Sequence, residues 1–510
     1  MMTSQMVSFV LIIGAIAITC GAAGLFVTES DQNGVQDPLV SPADETKVAL
    51  HTYTGEDGIP DTYIVKLRKD VTGQNVADVR DALESELLSS AEGRLTALGR
   101  SARVGEVMDF NEVQMVVVEA VKEDIQRLRQ KTDMIEAIYQ DGVVTTAQIC
   151  FCPCDCPAED RPNNKACQTS TNTAGNWGLD RIDQRDAALD GAFNIVGTGS
   201  DVNVYILDSG VYAEHEEFLR EDGSSRVTYG AKANASWDDN DVMGHGTHLA
   251  GIIGGKNVGV AKNANLISVK VLDDFGMGQI SGLVSMMYWV WLKVLIYRRK
   301  SLLVLSVVSP WNEALNSVVN DLVNFEIMVI AAAGNGNVPT RYVSPASAAQ
   351  AVAVAASDIG DTRAIFSNYG EEIFLWAPGD MIKSSSPGSP NEYTVRSGTS
   401  MASAFVAGAA AAYMSSLDYN PTPQQVKTYL HEQASENVIT DSPTEFNCRT
   451  ELICLRPNFC DAQTVCESVT TTAKFLYVGC SQDEPKKSKK SKKSKKGKKT
   501  KKSKKGKNSK

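Results

Sequence analysis

Four short runs rich in Val, Ile, Leu and Ala recur through the middle of this chain: Val202–Leu207, Leu266–Val271, Met328–Ala333 and Ala351–Ala355. Each is strand-length, and none shows the full apolar/polar alternation of a strand with one wet face. Such runs mark strands buried on both sides, which belong to parallel sheets whose crossover helices cover both faces. Helical patterns fall at Gly246–Gly254, Ser400–Ser415 and Pro423–Gln433. The expected fold class is α/β, a mostly parallel sheet flanked by helices, spanning residues 176–440. A hydrophobic content of 43% with 22% charged residues fits a globular protein, and 510 residues allow two or three domains.

The chemistry-bearing residues sit at the ends of these elements. Asp208 closes the run Val204-Tyr205-Ile206-Leu207-Asp208-Ser209-Gly210, where strand ends in α/β sheets face a ligand crevice. Two of the five histidines fall within Gly244-His245-Gly246-Thr247-His248. Ser400 lies in Ser397-Gly398-Thr399-Ser400-Met401-Ala402, at the start of a small-residue helix. A hydroxyl is a poor nucleophile at neutral pH, so it needs an adjacent base, and the base needs a partner that fixes its tautomer. Taken singly, such an Asp is more often a cap and such a His a satisfied core residue. Together, in the chain order Asp, His, Ser, they form a specific signal.

With these motifs the chain resembles the subtilisin-like serine proteases, and its wording is similar to the proteinase K branch. The resemblance implies that Ser400 is the nucleophile, His245 its base and Asp208 the orienting carboxylate, with His248 structural. It also implies that Asn335, in Ala331-Ala332-Ala333-Gly334-Asn335, donates to the oxyanion beside the Ser400 N–H. Further matching stretches are Gly259–Lys262, Val269–Asp274, Ser344–Ser347 and Phe366–Gly370. Asn176-Trp177-Gly178-Leu179 resembles the start of the mature catalytic domain in that branch.

Ahead of that domain, Thr62–Leu67, Gln114–Glu119 and Ile135–Val144 read as strands, and Val76–Leu98 and Val121–Thr132 as helices. Residues 61–147 therefore form a small α+β domain. Tyr63-Ile64-Val65 and Gln140-Asp141-Gly142-Val143-Val144 resemble the family's inhibitor prodomain. This implies a zymogen whose own prodomain is an intramolecular inhibitor.

Three places depart from the family pattern. Ser403-Ala404-Phe405 replaces a small residue, Pro and His. Phe374 falls where the family has a carboxylate ligand for calcium, and a phenyl ring cannot bind a hard cation. No cofactor is required by the chemistry and no metal ligand is assigned; calcium elsewhere stays open. Most consequentially, Ser306-Val307-Val308-Ser309 stands where the family has Ser-Leu-Gly-Gly lining the substrate cleft. Two residues bearing a Cβ replace the glycines, and Val308 is expected to crowd the S1 wall. Residues 286–309 look foreign as a block, with Trp289, Trp291 and Arg298-Arg299-Lys300. A shifted reading frame would produce such a block, and so would divergence of the cleft. Two classes of function thus stand: a secreted serine endopeptidase acting on polypeptides, or a catalytically impaired scaffold that binds protein.

Residues 1–27 carry the apolar stretch Val7–Thr19 and small residues after Cys20, as in a signal peptide, although the segment lacks a basic start and approaches the length of a membrane anchor. Residues 28–60 read as a linker. Of the eleven cysteines, five lie in the segment 148–175 and five in the segment 441–485, with none between Asn176 and Asp441. Such clustering points to disulfides in an oxidising compartment; zinc is the rival for Cys150–Cys156, at spacings that fit it poorly. Residues 486–510 hold sixteen lysines and no acid in a chain of net charge −11, so the body is strongly acidic. That tail is expected to be disordered, either as a solubility tail or as an anchor to a polyanionic surface. Nucleic acid is not an expected partner of a secreted chain, and a monomer is expected. Asn234-Ala235-Ser236 is a weak glycosylation sequon.

Overall fold

The computed structural model describes residues 47–53, 58–68, 76–88, 102–110, 113–131, 133–147, 173–440, 445–456, 459–469 and 473–479. The expected signal peptide, the cysteines at 150–167 and 480, and the lysine tail lie outside the described residues.

The N-terminal unit contains β1 (Gly58–Leu67), α1 (Val76–Leu88), β2 (Arg103–Asp109), β3 (Gln114–Glu119), α2 (Lys122–Leu128) and β4 (Ile135–Thr146). β1 lies between β3 and β4, antiparallel to both, and β2 flanks β3. Ala49–His51 adds a parallel strand on β4, so the unit includes residues ahead of the expected boundary at 61. One face of the sheet buries Val65, Val116, Val118 and Ile138 against Leu83, Leu87, Ile125 and Leu128.

The second unit opens with α3 (Trp177–Ile182) and continues through β5 (Asn203–Asp208), β6 (Val227–Lys232), α4 (His245–Gly254), β7 (Asn265–Lys270), β8 (Met277–Gln279), α5 (Ile280–Tyr297), β9 (Ser301–Leu305) and β10 (Val307–Pro310). There follow α6 (Glu313–Asn324), β11 (Met328–Ala332), β12 (Val352–Ser357), β13 (Ile373–Pro378), α7 (Thr399–Ser415) and α8 (Pro423–Gln433). The sheet order is β13-β12-β11-β9-β5-β7-β6, parallel throughout. The expected α/β class is the observed one. Val204, Ile206, Val304 and Ile330 face one side of the sheet, toward α4 and α7. Tyr205, Leu207, Leu303, Leu305 and Val329 face the other, toward α5 and α6.

The large sheet runs past the expected domain end near residue 440. Lys474–Phe475 adds a strand beside Trp376, with Ser435–Glu436 antiparallel on its outer side; Phe475 and Leu476 are fully buried, and the Val478 N–H donates to the Ile182 carbonyl. Between them, Glu445–Arg456 and Phe459–Val469 pair as a hairpin that sets Cys448 opposite Cys466 and Cys454 opposite Cys460.

The block 286–309 supplies two thirds of α5, all of β9 and most of β10. α5 is long and apolar enough to cross a bilayer by composition, yet Leu283, Val284, Met287 and Val290 are buried in the core beneath the sheet. Its aromatic side chains meet the N-terminal unit. Phe110, fully buried, packs edge-on to Tyr288 at 5.2 Å between ring centroids and lies 6.3 Å from Trp291. Ile64, Met115 and Tyr139 join the same cluster. The free face of the small sheet thus buries itself on α5 and α6, and Tyr53 Oη accepts from Asn312 Nδ2 at 2.8 Å.

Candidate active site

β4 is the element that brings the two units to one site. Its first half pairs with β1; its second half leaves the small sheet and runs between β8 and β10. Val143, Val144 and Thr145 stand opposite Gln279, Gly278 and Met277, while Thr145 and Thr146 stand opposite Val308 and Val307. Both pairings are antiparallel. The Cβ atoms at 307 and 308 therefore do not prevent β10 from pairing with an extended chain. Asp141, fully buried, locks the register: Oδ1 accepts from the Ser281 N–H at 3.0 Å and Oδ2 from the Ser281 hydroxyl. Gln279, the N-cap of α5, makes no side-chain cap of its own. The Asp141 side chain from β4 supplies the acceptor at that helix terminus instead.

β4 leads to Ala147. The Ala147 N–H donates to the Ser306 carbonyl at 3.0 Å, and the Ala147 carbonyl accepts from the Ser400 N–H at 3.3 Å. The Ser400 hydroxyl also donates to that carbonyl, and it lies 3.2 Å from the Ser306 carbonyl. Ser400 sits in the first turn of α7, a helix buried along most of its length because small residues let it pass behind the sheet. Ser403 bridges Ser306 Oγ at 2.9 Å and the Ser400 carbonyl at 2.8 Å.

Asp208 ends β5 fully buried, and its Oδ1 receives the Ser209 N–H at 2.8 Å and lies 2.7 Å from His245 Nδ1. That contact fixes which imidazole nitrogen carries a proton and leaves Nε2 to act as base. His245 Nε2 is buried and has no hydrogen-bond partner among the described residues. The structure therefore joins Asp208 to His245, and Ser400 to Ala147, without a hydrogen bond from Ser400 to His245.

His245 is held by its neighbours in sequence. Gly244, the N-cap of α4, has φ 78°, a left-handed conformation that side chains rarely adopt. Gly246 lets the helix approach β5 closely, since a Cβ there would lie 2.0 Å from the Gly210 carbonyl oxygen. Asp241, which sequence reasoning passed over, accepts from Ser209 Oγ, Gly244 N, Thr247 N and Thr247 Oγ1 at 2.6–2.8 Å. It ties the end of β5 to the start of α4 and so holds Asp208 and His245 in register. An acid four residues before a histidine that opens a helix was the available signal. His248 lies one turn on, fully buried, with Nε2 3.0 Å from the Ile382 carbonyl. Burial, then Arg396 and His245, hold it well below the usual imidazole range, so it is neutral and structural.

Asn335 presents its amide to the same place. Oδ1 accepts from Thr399 N at 2.9 Å and Thr399 Oγ1 at 3.0 Å, which orients the side chain, and Nδ2 is buried without a partner among the described residues. An orphaned buried donor costs about 1–3 kcal/mol and suits a charge that develops only during reaction. Phe374 packs beside His431 and under the Lys427 ammonium, which lies 5.4 Å from the ring centroid.

A model of the subtilase family matches residues 199–453. Subtilisin-like protease 1 of Pseudogymnoascus destructans is 31% identical over 80% of this chain and 94% of its own length. An extracellular serine proteinase of a Thermus species is 32% identical over 79% of this chain and 92% of its own. A cuticle-degrading serine protease of Arthrobotrys oligospora is 33% identical over 75% and 88%. The crystal structure of a cold adapted subtilisin-like serine proteinase superposes with a TM-score of 0.50 at 36% identity, covering 60% of this chain and 98% of that one. The chain belongs to the subtilisin-like family of serine proteases.

Proposed function

We propose that this protein is a secreted serine endopeptidase made as a zymogen, with residues up to Ala147 as its inhibitor and Ala147–Gln148 as the bond cut on maturation. The observation that carries this is the Ala147 carbonyl against the Ser400 amide and hydroxyl, at the end of a strand held between β8 and β10. Ser400 Oγ attacks the substrate carbonyl carbon and passes its proton to His245 Nε2, while Asp208 holds Nδ1–H and stabilises the imidazolium. The Ser400 N–H and Asn335 Nδ2 receive the oxyanion. His245 then protonates the leaving amine, and water, activated by the same imidazole, releases the acyl group. No metal or cofactor takes part in these steps.

The rival, an impaired scaffold, drew its support from Val307 and Val308. Their pairing with Thr146 and Thr145 supports a working cleft instead. Relatives named as extracellular and cuticle-degrading support secretion and polypeptide substrates. Labelling with a serine-directed phosphonate tests the function: it marks Ser400 in the matured protein, and absence of labelling after maturation contradicts the enzyme.

A further inference from the structure

We infer that the cleft selects a small residue immediately before the cut and an aliphatic one three positions earlier, and that Val308 sets the first limit. The inference rests on the reading of Ser400 as nucleophile and Ala147 as the residue before the cut, and it names the substrate class of that site.

Directly opposed residues of an antiparallel pair project their side chains to the same face. Thr145 stands opposite Val308, and Ala147, two residues on, donates its N–H to the Ser306 carbonyl. Val308 therefore shares a face with Ala147 and lies diagonal to it, at the ~7–8 Å spacing across which larger side chains collide or pack. The Ala147 methyl is already enclosed, at 1% exposure. Ser309 is also buried, and its hydroxyl is committed to the Pro310 and Ser344 carbonyls. Glycine at 308 would leave this wall open; the valine isopropyl group takes up part of the space that a long or aromatic side chain at 147 would need.

Val144 occupies a different kind of place. It is fully buried in the apolar cluster that includes Leu272, Ile280 and Val307. Its Cγ2 and Leu272 Cδ2 both crowd the Gly278 backbone, 3.3 and 3.2 Å from where a Cβ on that glycine would sit. Thr145 and Thr146 are partly exposed and meet less of the protein. The cleft thus reads an extended peptide of the form aliphatic, any, any, small.

The test compares the matured full-length protein on the anilides of Val-Thr-Thr-Ala and Val-Thr-Thr-Phe. The expected kcat/KM favours the alanine peptide by about tenfold or more, as for a pocket that must reject several carbons. Val308→Gly should shrink or reverse that ratio. A wild-type protein that cuts the phenylalanine peptide as fast or faster overturns the inference, and a ratio unmoved by Val308→Gly removes Val308 from it. Aryl phosphonates with Ala or Phe beside phosphorus separate the two levels. Faster Ser400 labelling by the phenylalanine probe overturns the specificity alone, whereas labelling by neither overturns the catalytic reading on which it rests.

Discussion

The Ala147 carbonyl oxygen lies 3.3 Å from the Ser400 amide nitrogen, so the last described residue of the N-terminal unit meets the helix start that carries the nucleophile candidate. On the proposed function, a single strand, β4, would account for both inhibition and substrate geometry. It belongs to the small sheet at one end and to the cleft at the other.

If Asp208 orients His245, Asp208→Asn should lower kcat by about 10⁴ through the wrong tautomer, a magnitude taken from another serine protease. Asn335→Ala should cost about 10²–10³, the value known for the corresponding donor in subtilisin. Steady-state kinetics on protein matured by an added protease would check both; a KM effect with unchanged kcat would contradict the assigned roles.

Phe110 anchors the N-terminal unit on Tyr288 and Trp291. Phe110→Ala should weaken inhibition by about thirtyfold, the scale of a central aromatic anchor worth ~2 kcal/mol. Titrating the matured enzyme with wild-type and variant prodomain would measure it. Equal inhibition constants would show that the contact contributes nothing.

Docking should depend on pH through Asp141. Burial pushes its carboxyl up to about 6 from 3.8, against the pull of the Ser281 and Gly142 hydrogen bonds. Between those two values the bound state therefore holds a proton that the free state has lost. The complex is at full strength below the free value and weakens as pH rises through about 6, by roughly a hundredfold for two units of difference. Inhibition constants measured from pH 4 to 8 should rise in that window, and Asp141→Asn should flatten the curve. A constant that falls with rising pH would contradict this.

The lysine tail should act by charge. Full-length protein is expected to bind an acidic polysaccharide resin at low salt and elute near 1 M, where screening falls to about 3 Å. Deleting residues 486–510 should abolish retention; unchanged retention would assign binding to the acidic body.

Much of the fold was legible where local signals agree. Pro423–Gln433 is the helix expected, because Pro423 follows the Thr422 cap and Gln425 closes a capping box. Gln114–Glu119 is likewise the strand expected. Arg103–Asp109 was missed because Gly105 and Glu106 break the alternation, and Lys474–Phe475 because two residues carry no period. Asp208, His245, Ser400 and Asn335 stand out in the sequence through their flanking motifs. The block 286–309 read as foreign because its reason lies far away in sequence: Tyr288 and Trp291 answer Phe110. For the same reason, nothing in Thr145-Thr146-Ala147 announced that these residues fill the cleft.

The most direct measurement is the amino-terminal sequence of protein matured without added protease, for wild type and Ser400→Ala. The expected wild-type chain begins at Gln148, and the variant stays uncut. A wild-type chain that begins elsewhere, or a variant cut equally at Ala147–Gln148, would contradict the assignment of Ser400 and Ala147 to one reaction.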